Sequence, residues 1–210
     1  MTSSSDPTTT TSSPNEVSPW NIPNLITVLR LVMSFVVLIL IDVGNAWILT
    51  TVIFVIAVST DWLDGYLARK WNQITAIGRI MDPFVDKVII GGTLIFLTSL
   101  PESGVNPWVT FIVIGREMFI TGLRSVLEGH GIDFSAKWSG KLKMATQSVT
   151  LPFCLMSLSP EFAEWLGDDF SSFLLARNAL LIATVAITLY SGLEYSYRGW
   201  VQLHQPTEET

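Results

Sequence analysis

Apolar residues fall along this chain in long blocks broken by short polar punctuation. A helix crossing a bilayer core needs about 20 mostly apolar residues. Six blocks reach or approach that length, at roughly 25–41, 46–68, 83–100, 107–128, 142–158 and 172–197. The breaks carry turn chemistry: Asp42 to Asn45 around Gly44, Pro101 to Gly104, and Ser159-Pro160. Asn106-Pro107 has the form of an N-cap followed by proline at the first helical position. Asp82-Pro83 reads the same way, which predicts that Asp82 caps the third span. Pro152 falls inside the fifth span and is expected to kink it. The pattern predicts an all-α integral membrane protein, a six-transmembrane-helix bundle in one domain over 20–200, with no internal repeat. Residues 1–19 are a Ser/Thr/Pro-rich tail with no apolar periodicity, expected to be disordered. The tail has no basic segment leading into an apolar one, so it does not read as a secretory signal. Residues 201–210 read as a short polar C-terminal tail.

Composition supports the membrane assignment. Hydrophobic residues make up 49% and charged residues only 14%, and the mean hydropathy of +0.47 is far above that of an ordinary soluble domain. No basic stripe marks a nucleic-acid surface, so nucleic acid is not an expected partner. The single cysteine, Cys154, allows no intrachain disulfide and no cysteine zinc site. It reads as a small buried apolar residue. His130 and His204 lie away from acidic clusters and read as surface residues rather than metal ligands.

Charge placement orients the bundle. The connections after spans 1, 3 and 5 contain no Lys or Arg but hold Asp42, Glu102, Glu161, Glu164, Asp168 and Asp169. The other connections hold Arg69, Lys70, Arg79, Lys137 and Lys141. The positive-inside rule then puts both termini in the cytoplasm. Several ionisable residues fall within spans: Arg30, Arg116, Glu117, Arg177 and Glu194. A charge there costs at least ~2.5 kcal/mol, so these side chains are expected to face the bundle interior or a polar cavity. Neighbours on a helix point about 100° apart, which makes Arg116 and Glu117 awkward mutual partners. Arg177, near the outer end of its span, is expected to snorkel in a structural role.

The densest chemistry lies between spans 2 and 3. Asp61 and Asp64 are spaced i,i+3, and Asp82 and Asp86 i,i+4, so each pair shares one helical face. Four carboxylates at a membrane edge repel one another unless a cation lies between them, and hard oxygen ligands suit Mg²⁺, Mn²⁺ or Ca²⁺. Gly65 and Ala68 leave backbone open to a bulky ligand, Gly78 clears space before Asp82, and Arg69 offers a guanidinium to a phosphate. Acids for metal, small residues for contact and a base for anion charge together suit a metal-bridged diphosphate.

This order of residues resembles the signature of the CDP-alcohol phosphotransferase family, Asp-x2-Asp-Gly-x2-Ala-Arg-x8-Gly-x3-Asp-x3-Asp, complete from Asp61 to Asp86. The likeness covers about residues 20–200. It extends to the family's bacterial branch with a glycerol-phosphate acceptor through Asn21 to Arg30, Trp71-Asn72-Gln73, Gly115-Arg116-Glu117 with Arg124, and Trp138 to Lys143. The resemblance implies transfer of a phosphatidyl group from CDP-diacylglycerol to an alcohol, with release of CMP and dependence on Mg²⁺ or Mn²⁺. It implies that Asp61, Asp64 and Asp82 hold metal. Asp86 is the implied general base and a further metal contact, and the sequence leaves open whether it acts as base or as ligand alone. Asn24, Thr27, Asp61, Gly65, Ala68, Arg69 and Gly78 are the implied CDP-diacylglycerol contacts. The implied acceptor, sn-glycerol 3-phosphate, is a dianion, for which Arg116, Arg124, Lys141 and Lys143 would supply positive charge. Lys141 and Lys143 read equally well as anchors at the membrane interface. The resemblance also implies a homodimer, in a bacterial cytoplasmic (inner) membrane with the active site on the cytoplasmic side. Branches making cardiolipin, phosphatidylinositol phosphate or phosphatidylserine share the aspartates and remain alternatives. A cation transporter would place acids deep in several helices instead of at one loop. An inactive scaffold gives no reason for glycine and alanine at the signature positions.

Overall fold

The computed structural model describes residues 22–70, 76–130 and 138–204, with side chains for 24–60, 81–130 and 138–202. The expected tail at 1–19 and the last residues of the C-terminal tail lie outside the described residues. All regular structure among the described residues is helical. The helices are α1 (Ile22–Val43), α2 (Trp47–Lys70), α3 (Ala76–Thr98), α4 (Pro107–Gly129), α5 (Trp138–Met156), α6 (Pro160–Leu166) and α7 (Phe170–His204). Single 3₁₀ turns occupy Pro101–Ser103 and Gly167–Asp169. Within these helices, Asn24–Val43 and Pro160–Gln202 are long and apolar enough to cross a membrane.

Local chemistry sets the boundaries. Gly44 takes φ 72° just after α1, and its N–H closes onto the Leu40 carbonyl at 3.0 Å. Asn106 caps α4, its side chain accepting from the Val109 N–H at 3.0 Å with Pro107 at the first position. Ser159-Pro160 repeats that device, and Ser159 accepts from the Phe162 N–H at 3.1 Å. The segment 159–169, which reads as an acidic loop, is therefore helical. At Asp82-Pro83 the expectation fails. α3 begins at Ala76 and carries Pro83 inside it, so Asp82 is a mid-helix residue rather than a cap. Proline removes one donor to the carbonyl four residues back, and a protein-lined helix can absorb that loss. Pro152 likewise sits within α5.

α1 packs on α2 and α3, while α4 and α5 pack on α7. Contacts of α5 with α2 and α3, and of α4 with α3, join the two groups. One apolar core runs through all of them, from Val37 and Ile41 through Phe54, Ile89, Leu97, Val113 and Leu155 to Leu181. Cys154 is buried in this core, as expected. A second cluster joins Ile120, Leu127 and Tyr195 of α4 and α7. Buried hydroxyls bond either back to their own helix, as Ser34 does to the Arg30 carbonyl at 2.7 Å, or across helices. Thr150 and Thr184 meet at 2.8 Å between α5 and α7. Thr98 and Thr110 meet at 2.6 Å between α3 and α4. Large apolar side chains also face outward in numbers that a water-soluble surface would not carry, including Leu29, Phe35 and Ile39 of α1 and Leu175, Ile182 and Leu193 of α7.

Arg177 does not snorkel. It is buried, and its Nη1 donates to the Glu102 carbonyl at 2.6 Å and to Ser157 Oγ at 3.0 Å. Its Nε and Nη2 donate to Asn178 Oδ1 at 3.2 and 2.9 Å. Protein acceptors satisfy this guanidinium, so it has no need of water at the interface. The same contacts bring the α3–α4 and α5–α6 connections, neither of which contains Lys or Arg, to one end of the bundle. Gly104 lies against Arg177 with φ 77°, and a Cβ there would stand 2.8 Å from Arg177 Cζ. Gly104→Ala is therefore expected to cost about 2 kcal/mol, from left-handed strain plus displacement of the guanidinium. Thermal unfolding in detergent should show a midpoint lower by roughly 5 °C. An unchanged midpoint would count against the close packing of Arg177 on this turn.

Candidate active site

Asn24, Thr27, Arg30, Ser34, Val37 and Ile41 form the buried stripe of α1. Its first half is polar and its second half apolar, so the core occupies one end of the helix and a polar site the other. The polar half faces α3. Thr27 Oγ1 donates to Asp82 Oδ1 at 2.8 Å. One turn further on, Arg30 Nη2 donates to Asp86 Oδ1 at 2.6 Å. The spacings i,i+3 on α1 and i,i+4 on α3 make these contacts two successive rungs between the helices. Arg30 Nε also donates to the Ala57 carbonyl at 3.1 Å, which ties α2 to the same point. Arg30 is 1% exposed, whereas Asp86 keeps 26% of its side-chain surface open. The cation is thus the buried support, and the carboxylate faces the accessible side.

Asp61, Asp64, Gly65, Ala68 and Arg69 lie on the last turns of α2, and Gly78 on the first turn of α3. Their side chains lie outside the described residues. The donor set can still be judged by its chemistry. Asp82 and Asp86 present carboxylate oxygens on one face of α3, each oriented by a donor from α1. Charge and hard oxygen ligands of this kind fit Mg²⁺ or Mn²⁺. Among the described residues, no group of three or more His, Cys, Asp or Glu side chains gathers, since only two of the four signature aspartates have described side chains.

A second charged cluster lies where α4, α5 and α7 meet. Arg116 Nη2 donates to Ser191 Oγ at 2.6 Å, and its guanidinium sits 5.5 Å above the Tyr195 ring. Arg116 does reach Glu117, but only at 3.4 Å through Nη1. The closer partner of Glu117 is Lys143, whose Nζ forms an ion pair with Glu117 Oε2. Lys87 of α3 also acts on Glu117 through its charge. Arg116 and Arg124 lie near enough to repel. The Nε of each is buried with no hydrogen-bond partner among the described residues. Unpaired buried guanidinium donors favour an incoming anion.

Lys141 stands apart from this arrangement. It is exposed, while Lys143, two residues on, turns inward. His130 is exposed and bonds only locally, Nδ1 to the Val126 carbonyl at 2.8 Å; the side chain of His204 lies outside the described residues. The sequence reading missed Ser191 and Tyr195, and it did not pair Glu117 with Lys143. The spacing of Ser191 and Tyr195, four apart and so on one face of α7, was the available signal.

The family profile for CDP-alcohol phosphatidyltransferases matches residues 20–190, nearly the whole described chain. The chain belongs to the CDP-alcohol phosphatidyltransferase family. A Bacillus subtilis relative named CDP-diacylglycerol–glycerol-3-phosphate 3-phosphatidyltransferase is 34% identical over 88% of this chain and 97% of that protein. Relatives of the same name from Pseudomonas fluorescens and Escherichia coli are 35% and 32% identical. They cover 87% and 84% of this chain, and 92% and 93% of their own lengths. For a CDP-alcohol phosphatidyltransferase the two clusters divide sensibly. The α1–α3 rungs carry two of the four signature acids, and the α4–α5–α7 cluster gathers positive charge.

Proposed function

We propose that this chain transfers the phosphatidyl group of CDP-diacylglycerol to sn-glycerol 3-phosphate, giving phosphatidylglycerophosphate and CMP. The observation that carries the choice of acceptor is the cationic cluster of the half-buried Arg116 and Arg124 and the buried Lys143. A phosphate dianion needs such charge, whereas a neutral or zwitterionic alcohol such as serine does not. An acceptor hydroxyl attacks the β-phosphorus, the bond to the CMP oxygen breaks, and Asp86 takes the hydroxyl proton. Arg30 holds Asp86 in place for that step. Asp61, Asp64, Asp82 and Asp86 would hold the divalent cation, Mg²⁺ or Mn²⁺, which when bound neutralises the diphosphate oxygens. Gly65, Ala68, Arg69 and Gly78, with Asp61, Asn24 and Thr27, would take the cytidine diphosphate. The acyl chains stay between apolar helix faces in the bilayer.

The six long helices serve as membrane spans in this reading. Both termini and the aspartates face the cytoplasm of a bacterial inner membrane, with two copies pairing as a homodimer. The lysine-free connections gathered by Arg177 support that orientation. An acceptor screen tests the function. Purified protein with CDP-diacylglycerol and Mg²⁺ or Mn²⁺ should release CMP with glycerol 3-phosphate. Release should be at least tenfold slower with inositol phosphate, serine or phosphatidylglycerol, and should stop on chelation. CMP release with one of those acceptors and none with glycerol 3-phosphate would overturn the assignment.

A further inference from the structure

Two buried polar groups beside the cationic cluster have no hydrogen-bond partner among the described residues: the amide nitrogen of Gln147 on α5 and the hydroxyl of Thr188 on α7. Gln147 is 3% exposed and Thr188 0%. A buried amide or hydroxyl left unpaired costs free energy, so a native core rarely keeps one without a use for it. A helical threonine can bond the carbonyl four residues back, as Thr50, Thr51 and Thr150 do here. Thr188 does not.

Two contacts along the α5–α7 seam fix where these groups lie. Thr150 meets Thr184 at 2.8 Å, and a Cβ on Gly140 would stand 3.2 Å from the Tyr195 hydroxyl. The two helices therefore run antiparallel, and between those points each advances about 15 Å. Lys143 and Gln147, spaced i,i+4 on α5, and Thr188 and Ser191, spaced i,i+3 on α7, line this same stretch. Lys143 and Ser191 belong to the cationic cluster, through Glu117 and Arg116. Gln147 and Thr188 come about one turn further into the bundle. Long side chains on a helix lean toward its N-terminus, which turns the Gln147 amide back toward Lys143.

Glycerol 3-phosphate carries groups that suit both levels. Its phosphate calls for cations. Its less hindered primary hydroxyl attacks, and the C2 hydroxyl is left over and needs polar partners once it leaves water. One helical turn is about 5.4 Å, a step that so short a polyol can span. We propose that Gln147 and Thr188 are specificity-determining residues that bind the non-reacting hydroxyl of the acceptor while the cations hold its phosphate. The Gln147 amide donates to the C2 oxygen, and the C2 hydroxyl donates to Thr188 Oγ1. This rests on glycerol 3-phosphate being the acceptor. A site built to bond a hydroxyl rejects an analogue that lacks it, because its own polar groups then stay unpaired.

The test compares glycerol 3-phosphate with 3-hydroxypropyl phosphate, which keeps the phosphate and the primary hydroxyl but has no C2 hydroxyl. CMP release is measured on the purified full chain in detergent, with CDP-diacylglycerol and Mg²⁺. Wild-type kcat/KM should favour glycerol 3-phosphate about a hundredfold. In Gln147→Leu that preference should fall to about tenfold, carried by a higher KM for glycerol 3-phosphate. A merely structural role would slow both acceptors alike, so a preference that falls less than about threefold overturns the proposal. Equal use of the two acceptors by the wild type overturns it as well. Should Gln147→Leu not fold, the nearly isosteric Thr188→Val carries the same comparison against the same threefold limit. Wild-type protein that releases no CMP with glycerol 3-phosphate would instead refute the proposed function.

Discussion

Asp82→Asn is expected to reduce CMP release by about a thousandfold or more, equivalent to about 4 kcal/mol of barrier. The substitution removes one negative charge from the aspartate set but leaves its shape nearly unchanged. Thr27 Oγ1, now 2.8 Å from Asp82 Oδ1, can still donate to the amide oxygen. The rung between α1 and α3 therefore survives, and the variant should reach the membrane and unfold close to the wild-type temperature. Thr27→Val makes the opposite change, deleting the donor and keeping the charge. Its loss should be only about ten- to a hundredfold, as is usual for a residue that orients a metal ligand. Turnover assays alongside thermal unfolding would separate the two effects. More than a tenth of wild-type activity in Asp82→Asn would remove that carboxylate from the chemistry.

Arg30→Met should have the largest effect on stability. Arg30 is 1% exposed and spans three helices, donating from α1 to the Ala57 carbonyl of α2 and to Asp86 of α3. Its removal takes the guanidinium out of a part-buried pair and cuts the tie between three helices, at a cost of about 3 kcal/mol. For a chain of this size that lowers the unfolding midpoint by roughly 10 °C. Arg30→Lys should recover little, because an ammonium cannot reach a carbonyl on one helix and a carboxylate on another as the guanidinium fork does. Arg30→Met/Asp86→Asn should recover part of the stability and none of the turnover. A midpoint for Arg30→Met within about 2 °C of wild type would show that the pair contributes little to the fold.

Much of the architecture was legible in one dimension because apolar block length is a local property. Each of the six blocks falls on a long helix among the described residues, and Asn106-Pro107 marks the α4 start to the residue. Asp82-Pro83 carries the same two-residue signal but falls inside α3. What separates the two cases is whether the preceding turn finds partners, and a dipeptide does not contain that information. The α6 start was misjudged for the converse reason. Ser159-Pro160 was a true cap, but the acidic residues that follow suggested a loop.

The charges inside the spans were rightly expected to face inward, yet their partners could not be foreseen. Arg30 meets a residue 56 positions away, Lys143 one 26 positions away, and Arg116 one 75 positions away. Those separations depend on which helices become neighbours. The error over Arg177 is of the same kind. Snorkelling was the sensible expectation for a lone arginine near a span end, and it gave way to a carbonyl and a hydroxyl brought from two distant connections.

The length of α7 has a consequence for how the enzyme sits in its surroundings. At 35 residues it is about 52 Å long, against a hydrocarbon core of about 30 Å. A rod that overshoots its slab leans, and it leans further as the slab thins. Ser191 and Tyr195 ride on this rod and together cradle Arg116. A change in bilayer thickness would then act on the lean of α7, and through it on the Ser191 and Tyr195 positions around Arg116.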